Sequence, residues 1–327
     1  MTRNQRVARR SLIGKGELLA LTGALSYATV NALQRSVAKG IDPYVGSLIR
    51  QIPLFLMATI FILAVRPTSL RPRSDKYLGL PLLRLLFVAG VGSFCIGNIL
   101  LFAGLNWVGL AVAVAASQGG LVLGGAAIST FVMKEPPVGW QRVGIAVVAC
   151  GIALTAAPAI SSINQGALAI LGFVVSFSAG VFFTISNAAS RSVQKKGGTF
   201  LVALAITNIG GVCALALAVL IRAHGNFANL WPGITSHQVT VLLGAGCVNA
   251  LAIASVTLAV KFTNVANVSM ILSLVLVFGL FTARLVFGES IQPTFLMGAS
   301  AVLGGVLLGQ LGPKYLNKNL NIDREKL

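Results

Sequence analysis

Apolar runs of about twenty residues follow one another along almost the whole chain, and a chain built this way has very few folds open to it. Each run matches the length that a helix rising 1.5 Å per residue needs to cross roughly 30 Å of hydrocarbon. Ten such spans are expected, at Glu17–Ala38, Tyr44–Val65, Leu82–Leu105, Val108–Val132, Gly139–Ala157, Ala167–Ser190, Thr199–Ile221, Val239–Val260, Asn264–Phe287 and Ile291–Leu311. Backbone amides in hydrocarbon must be satisfied inside their own segment, and no strict alternation of period two runs through these stretches. Helices follow, and a barrel does not. A mean hydropathy of +0.88 and a charged fraction of only 10% exclude an ordinary water-soluble domain.

The formal net charge of +18 suggests nucleic acid until the basic residues are placed. With the N-terminus in the cytoplasm, 20 Lys and Arg lie at inner ends or loops and 5 at outer ends, the latter being Arg35, Lys39, Arg50, Arg222 and Arg284. This positive-inside bias expects a multi-pass protein of the cytoplasmic (inner or plasma) membrane with both termini in the cytoplasm. The same charges attract anionic lipid, and no cluster reads as a nucleic-acid groove. The first span has a basic flank like a signal peptide, but its length and the span that follows it argue that it is retained. Cys95, Cys150, Cys213 and Cys247 lie inside spans with no CxxC pair, as free thiols would. Trp107 and Trp140 fall at span ends, where an aromatic belt would place them.

The sequence also repeats itself. Asn-Ala-Leu-Gln-Arg-Ser-Val-Ala-Lys, Asn31 to Lys39, and Asn-Ala-Ala-Ser-Arg-Ser-Val-Gln-Lys, Asn187 to Lys195, agree at six of nine positions at an offset of 156. Glu135, Gly144 and Gly151 recur as Glu289, Gly298 and Gly305 at an offset of 154. A tandem duplication follows, with a cytoplasmic tail at 1–15, a first five-helix repeat at 16–158, a second at 166–311 and a cytoplasmic tail at 312–327. Five is odd, so the second copy enters the membrane upside down. Inverted repeats of this kind give secondary transporters two nearly equivalent states around a site near the midplane.

These residues carry a resemblance to the drug/metabolite transporter superfamily and, within it, to EamA-type ten-helix transporters. The resemblance rests on Lys134-Glu135 followed by Gly144 and Gly151, on Gly288-Glu289 followed by Gly298 and Gly305, and on Pro43 followed by Arg50. Val122 and Leu276 stand where relatives commonly carry proline. The resemblance implies an exporter of amino acids, related metabolites, nucleobase-like compounds or drugs, working without a cofactor.

The spans hold almost no acid, which disfavours coupling through a buried carboxylate and any metal or paired-carboxylate chemistry. His224 and His237 read as residues of an outer loop. Glu135 and Glu289 fall at span ends, where each can face water and the N-terminus of the next helix, a structural role. Gly144, Gly151, Gly298 and Gly305 read as close-packing positions on one helix face. Neutral polar side chains remain for recognition: Tyr27, Asn98, Ser117, Gln118, Thr207, Asn208, Asn249 and Ser273. Tyr27, Asn98, Gln118, Asn208 and Asn249, with Arg50, form the expected substrate site. Helix-to-helix hydrogen bonding is the alternative for each. Arg50 either snorkels outward or faces the cavity and draws in a carboxylate.

Asn31 with Arg35, and Asn187 with Arg191, lie one turn apart and are gating candidates, interfacial anchoring being the other reading. Gly119, Gly120, Gly124 and Gly125 crowd one helix. A GxxxG pair explains two of them, and a helix that bends or slides would tolerate the others. The expected function is a secondary transporter of a small polar metabolite by alternating access, the expected partners being that substrate and membrane lipids, with self-association into a homo-oligomer compatible. A membrane-embedded lipid-handling enzyme and a non-transporting receptor or assembly subunit are the rival readings.

Overall fold

The structure, a computed structural model, describes residues 14–37, 41–72, 74, 77–137, 139–161, 166–224, 234–287 and 293–324. Glu289, Lys39 and most of the N-terminal tail therefore lie outside the described residues. Among those described, the regular structure is entirely helical: α1 (Lys15–Val37), α2 (Pro43–Val65), α3 (Leu80–Gly90), α4 (Asn98–Ala127), α5 (Trp140–Ser161), α6 (Gly166–Lys195), α7 (Phe200–Arg222), α8 (Ser236–Phe262), α9 (Val265–Leu272), α10 (Val275–Phe287) and α11 (Pro293–Arg324). Wider π-helical turns at Val91–Gly97 and Ile128–Val132 join α3 to α4 and extend α4.

Short polar residues set the helix starts by taking backbone N–H groups that have no partner within the helix. The Asp42 carboxylate accepts from the Tyr44 N–H at 2.9 Å with Pro43 in the first turn, and the Thr199 hydroxyl accepts from the Val202 N–H. Thr235 and Gln238 cap each other reciprocally at the start of α8, and the Asn264 side chain accepts from the Asn267 N–H at 2.7 Å.

Seven helical segments among the described residues are long and apolar enough to cross a membrane: Tyr44–Val65, Leu80–Leu101, Val112–Val132, Ile170–Lys195, Phe200–Arg222, Ser236–Phe262 and Val265–Val286. The other three expected spans fall on α1, α5 and α11. The apolar parts of α5 and α11 are shorter, Trp140–Thr155 and Pro293–Gly309. In α1, Thr22, Ser26, Tyr27, Asn31 and Gln34 dilute the hydropathy, and part of this polar set turns inward. Large side chains such as Ile60, Leu63, Ile170, Ile221 and Leu285 stand exposed around the bundle, an inside-out surface that suits lipid.

Two expected boundaries differ from the structure. A loop was expected between Leu105 and Val108, but helical backbone continues there. Phe94 and Gln118 nevertheless line one cavity, whereas a straight helix would hold them about 36 Å apart. The chain therefore reverses between the Leu80–Leu101 and Val112–Val132 segments. The expected Asn264–Phe287 span is broken at Ser273–Leu274, where the Ser273 hydroxyl donates back to the Met270 carbonyl at 2.6 Å. A serine bonding to its own helix competes with the regular ladder and bends it.

Glycines fix how closely the helices approach. A Cβ on Gly144 of α5 would lie 2.6 Å from the Gly305 carbonyl of α11, and one on Gly305 would lie 2.8 Å from the Gly144 carbonyl. Gly151 and Gly298 block each other in the same reciprocal way, at 2.7 and 2.6 Å. On α4, a Cβ at Gly120 would strike the Phe177 carbonyl of α6, and one at Gly180 would strike the Ser117 carbonyl. Gly124 faces Val181, and Gly125 faces Ser269 and Ala266 of α9. Tight packing thus requires glycine at Gly120 and at Gly125, one of the two positions that the GxxxG pair left over, whereas a Cβ at Gly119 or Gly124 would meet only ordinary contacts.

Candidate functional site

The side chains that matter most surround a cavity of about 130 Å³ in the middle of the bundle, walled by α1, α2, the π-helical turn before α4, α4 itself and α6 to α10. Residues from both halves of the chain face it.

Arg50 is its only charged lining residue among those described. It lies on α2 one turn before Pro53, and α8 comes so close there that a Cβ on Gly246 would collide with the Arg50 carbonyl. The side chain is 8% exposed. Its Nη1 donates to the Gln34 Oε1 at 2.8 Å and its Nη2 to the Asn98 Oδ1 at 3.1 Å, while Nε–H has no partner. Asn98 is oriented for this task. Its Nδ2 donates to the Phe94 carbonyl at 2.8 Å, so its oxygen faces the guanidinium. The π-helical turn Val91–Gly97 ends immediately before Asn98, a kind of helix irregularity often found at functional positions.

Of the expected substrate-site residues, the cavity brings together Tyr27, Arg50, Asn98, Gln118 and Asn249, along with Ser117 and Thr207. Gln118 Oε1 is buried and unpartnered. Asn208 is not in this group. One residue beyond Thr207, a rotation of about 100° turns it away, and it is fully buried with neither amide atom bonded. Ser273 does not line the cavity either, since its hydroxyl is spent on Met270.

The gating candidates divide in the same way. Asn31 and Asn187 line the cavity. The Arg35 side chain lies outside the described residues, and Arg191 sits one turn beyond Asn187, off the cavity wall. There the Arg191 Nε donates to the Glu135 Oε2 at 2.9 Å, and its Nη1 donates to the carbonyls of Val260 and Thr263. Lys195 also pairs with Glu135. Gln194 Nε2 donates to the Thr257 carbonyl at 2.8 Å, tying α6 to α8 where Thr257 borders the cavity. The Glu135 carboxylate, 22% exposed, still meets water as expected, but its partners are on α6 and not at the start of the helix that follows. Lys134, at φ 54°, makes the left-handed turn that delivers it.

This clamp marks one end of the bundle, the Glu135 end. At the Asp42 end, the Arg222 Nε donates to the Asp42 Oδ2 at 2.9 Å, joining α7 to α2 with an arginine about half exposed. Screening makes such a pair weak.

Gln34, Gln51, Ser186 and Phe183 were not anticipated. Gln51 is almost completely buried beside the cavity, and Asn249 Nδ2 points at its Oε1 across 3.5 Å, too long for a strong bond. A glutamine next to an arginine deep in an apolar run was the available signal.

Residues 14–157 match the EamA-like transporter family. A solved structure described as "Crystal structure of protein" superposes with a TM-score of 0.70 over 92% of this chain and 98% of that one, at 16% identity, a likeness of fold. No curated protein matches the sequence.

Proposed function

We propose, from the match of residues 14–157 to the EamA-like transporter family, that the protein is a secondary transporter that moves a small polar metabolite, an amino acid or related compound, across the cytoplasmic membrane by alternating access, in the direction of export. The observation that carries this reading is the mid-bundle cavity with polar side chains from both halves of the chain on its wall, one turn from the ion pair of Arg191 with Glu135. A cavity of this size is close to the ~150 Å³ engineered void that holds benzene, so it fits one compact molecule.

The same reading takes the chain as ten spans in two inverted five-helix repeats, 16–158 and 166–311, an arrangement inferred from the sequence repeat. The reciprocal glycine contacts pair Gly144 with Gly305 and Gly151 with Gly298, positions that correspond under the 154-residue repeat. Such pairing is what a two-fold axis in the membrane plane would produce. Tyr27, Arg50, Asn98, Gln118 and Asn249 then hold substrate, with Asn31 and Asn187 as neighbours toward the two gates. The charge bias puts the Glu135 end and both termini in the cytoplasm. No specific observation favours a lipid-handling enzyme or a receptor.

The test is an untargeted comparison of metabolites inside cells with and without the protein, followed by efflux from proteoliposomes loaded with the compounds that differ. Selective retention without the protein and carrier-dependent efflux are expected. Identical pools and no efflux of any loaded compound would end this reading.

A further inference from the structure

Arg50 is a cation held away from water without an anion. Burying a charge is costly unless it is paired, and chains that keep an ionisable group inside a membrane domain usually use it. Both of its partners, Gln34 and Asn98, are neutral amides that orient the guanidinium and leave its charge in place. Two carboxylates elsewhere are committed, Asp42 to Arg222 and Glu135 to Arg191 and Lys195. No Asp or Glu lines the cavity among the described residues. A guanidinium has five N–H donors, and Gln34 and Asn98 use two of them.

We infer, building on the transport reading, that the cavity is a receptor for small carboxylates, in which Arg50 takes the carboxylate and Gln118 accepts an N–H from the same ligand. The carboxylate meets the Nη hydrogens left over by Gln34 and Asn98, and a small rotation of the guanidinium brings the covered Nε–H into a bidentate fork. Binding neutralises the cavity in a poorly screened setting, where charge attraction is strongest. The unpartnered Gln118 Oε1 gains the donor it lacks. The ligand class is an α-amino acid or another compact acid with an N–H group, and acids should be selected over their amides.

The test uses matched pairs of compact ligands that differ only in the acid group: glycine and glycinamide, alanine and alaninamide, serine and serinamide. Binding to the purified protein is read as thermal stabilisation, and efflux is read from proteoliposomes. Acids should stabilise and leave the vesicles, and their amides should do so far less. Arg50→Gln should weaken acid binding by about 30-fold or more, the range for removing one side of a buried charge pair, while the ligand-free protein melts no lower than the parent. Arg50→Lys should restore part of the effect. Acids and amides behaving alike, or Arg50→Gln binding acids normally, would overturn the carboxylate receptor and leave transport standing. Efflux of no compound in the panel, by either variant or parent, would count against the transport reading and this inference together.

Discussion

Arg50 and Arg191 are both arginines in the interior of a helical bundle, and they sit in opposite electrical circumstances. Arg191 is met by a carboxylate and two backbone carbonyls, with Lys195 sharing the carboxylate. Arg50 is met by two neutral amides and keeps an unpaired N–H. A compensated arginine holds α6, α8 and the Glu135 turn together at one end of the cavity. An uncompensated one on the cavity wall waits for an anion. The contrast predicts that perturbing the first loosens the Glu135 end of the bundle, and perturbing the second changes what is bound.

The largest effect should come from Glu135→Gln, which strips the partner from Arg191 and Lys195 at once. Breaking a partly buried network should destabilise the closed end by about 2–3 kcal/mol, between the exposed and fully buried limits. Faster hydrogen exchange over 186–195 and 257–263, without loss of the folded protein, is the expected readout. Unchanged exchange would mean that the clamp is ornamental.

Asn98→Leu sharpens the other side of the comparison. It removes one oriented acceptor from a charged donor, a contribution of about 1.5–2 kcal/mol, so the KM for acids should rise roughly tenfold or more with little change for amides. A similar rise for acids and amides would assign Asn98 to packing. Asn208→Leu is the control for buried polarity: it deletes an amide with no partner, so the melting temperature should rise, by about 1 kcal/mol of stability, with transport unaltered. A loss of transport would give Asn208 a role in the opposite conformation. The smallest effect belongs to Lys195→Gln, because that side chain is half exposed and Arg191 still neutralises Glu135. A change of under ~1 kcal/mol in the same exchange measurement is expected.

The helical nature of the chain and most of its cavity wall were legible in the sequence, because an apolar span makes each interior polar residue conspicuous. Tyr27, Asn98, Gln118 and Asn249 stood out for that reason. Helix phase did not stand out. A helix apolar on all sides carries no stripe to orient it, so Thr207 and Asn208 looked alike although one faces the cavity and the other does not. Gln34 was hidden by its place near a span end, where polar residues are ordinary. The break at Ser273 had no proline or glycine to announce it and depends on a side chain bonding its own helix. The Arg191–Glu135 pair joins residues 56 positions apart. No local pattern encodes that distance.

The proposed alternation, in which the cavity would be reached from the Asp42 end while the clamp holds and from the Glu135 end once it breaks, is tested most directly by labelling a single cysteine at Asn187. The background replaces Cys95, Cys150, Cys213 and Cys247 by Ala, and an impermeant thiol reagent is applied to right-side-out and inside-out vesicles. With the clamp intact, modification should come from the outer face alone, and Glu135→Gln should add modification from the cytoplasmic face. Equal labelling from both faces with the clamp intact, or no cytoplasmic labelling after Glu135→Gln, would contradict the account.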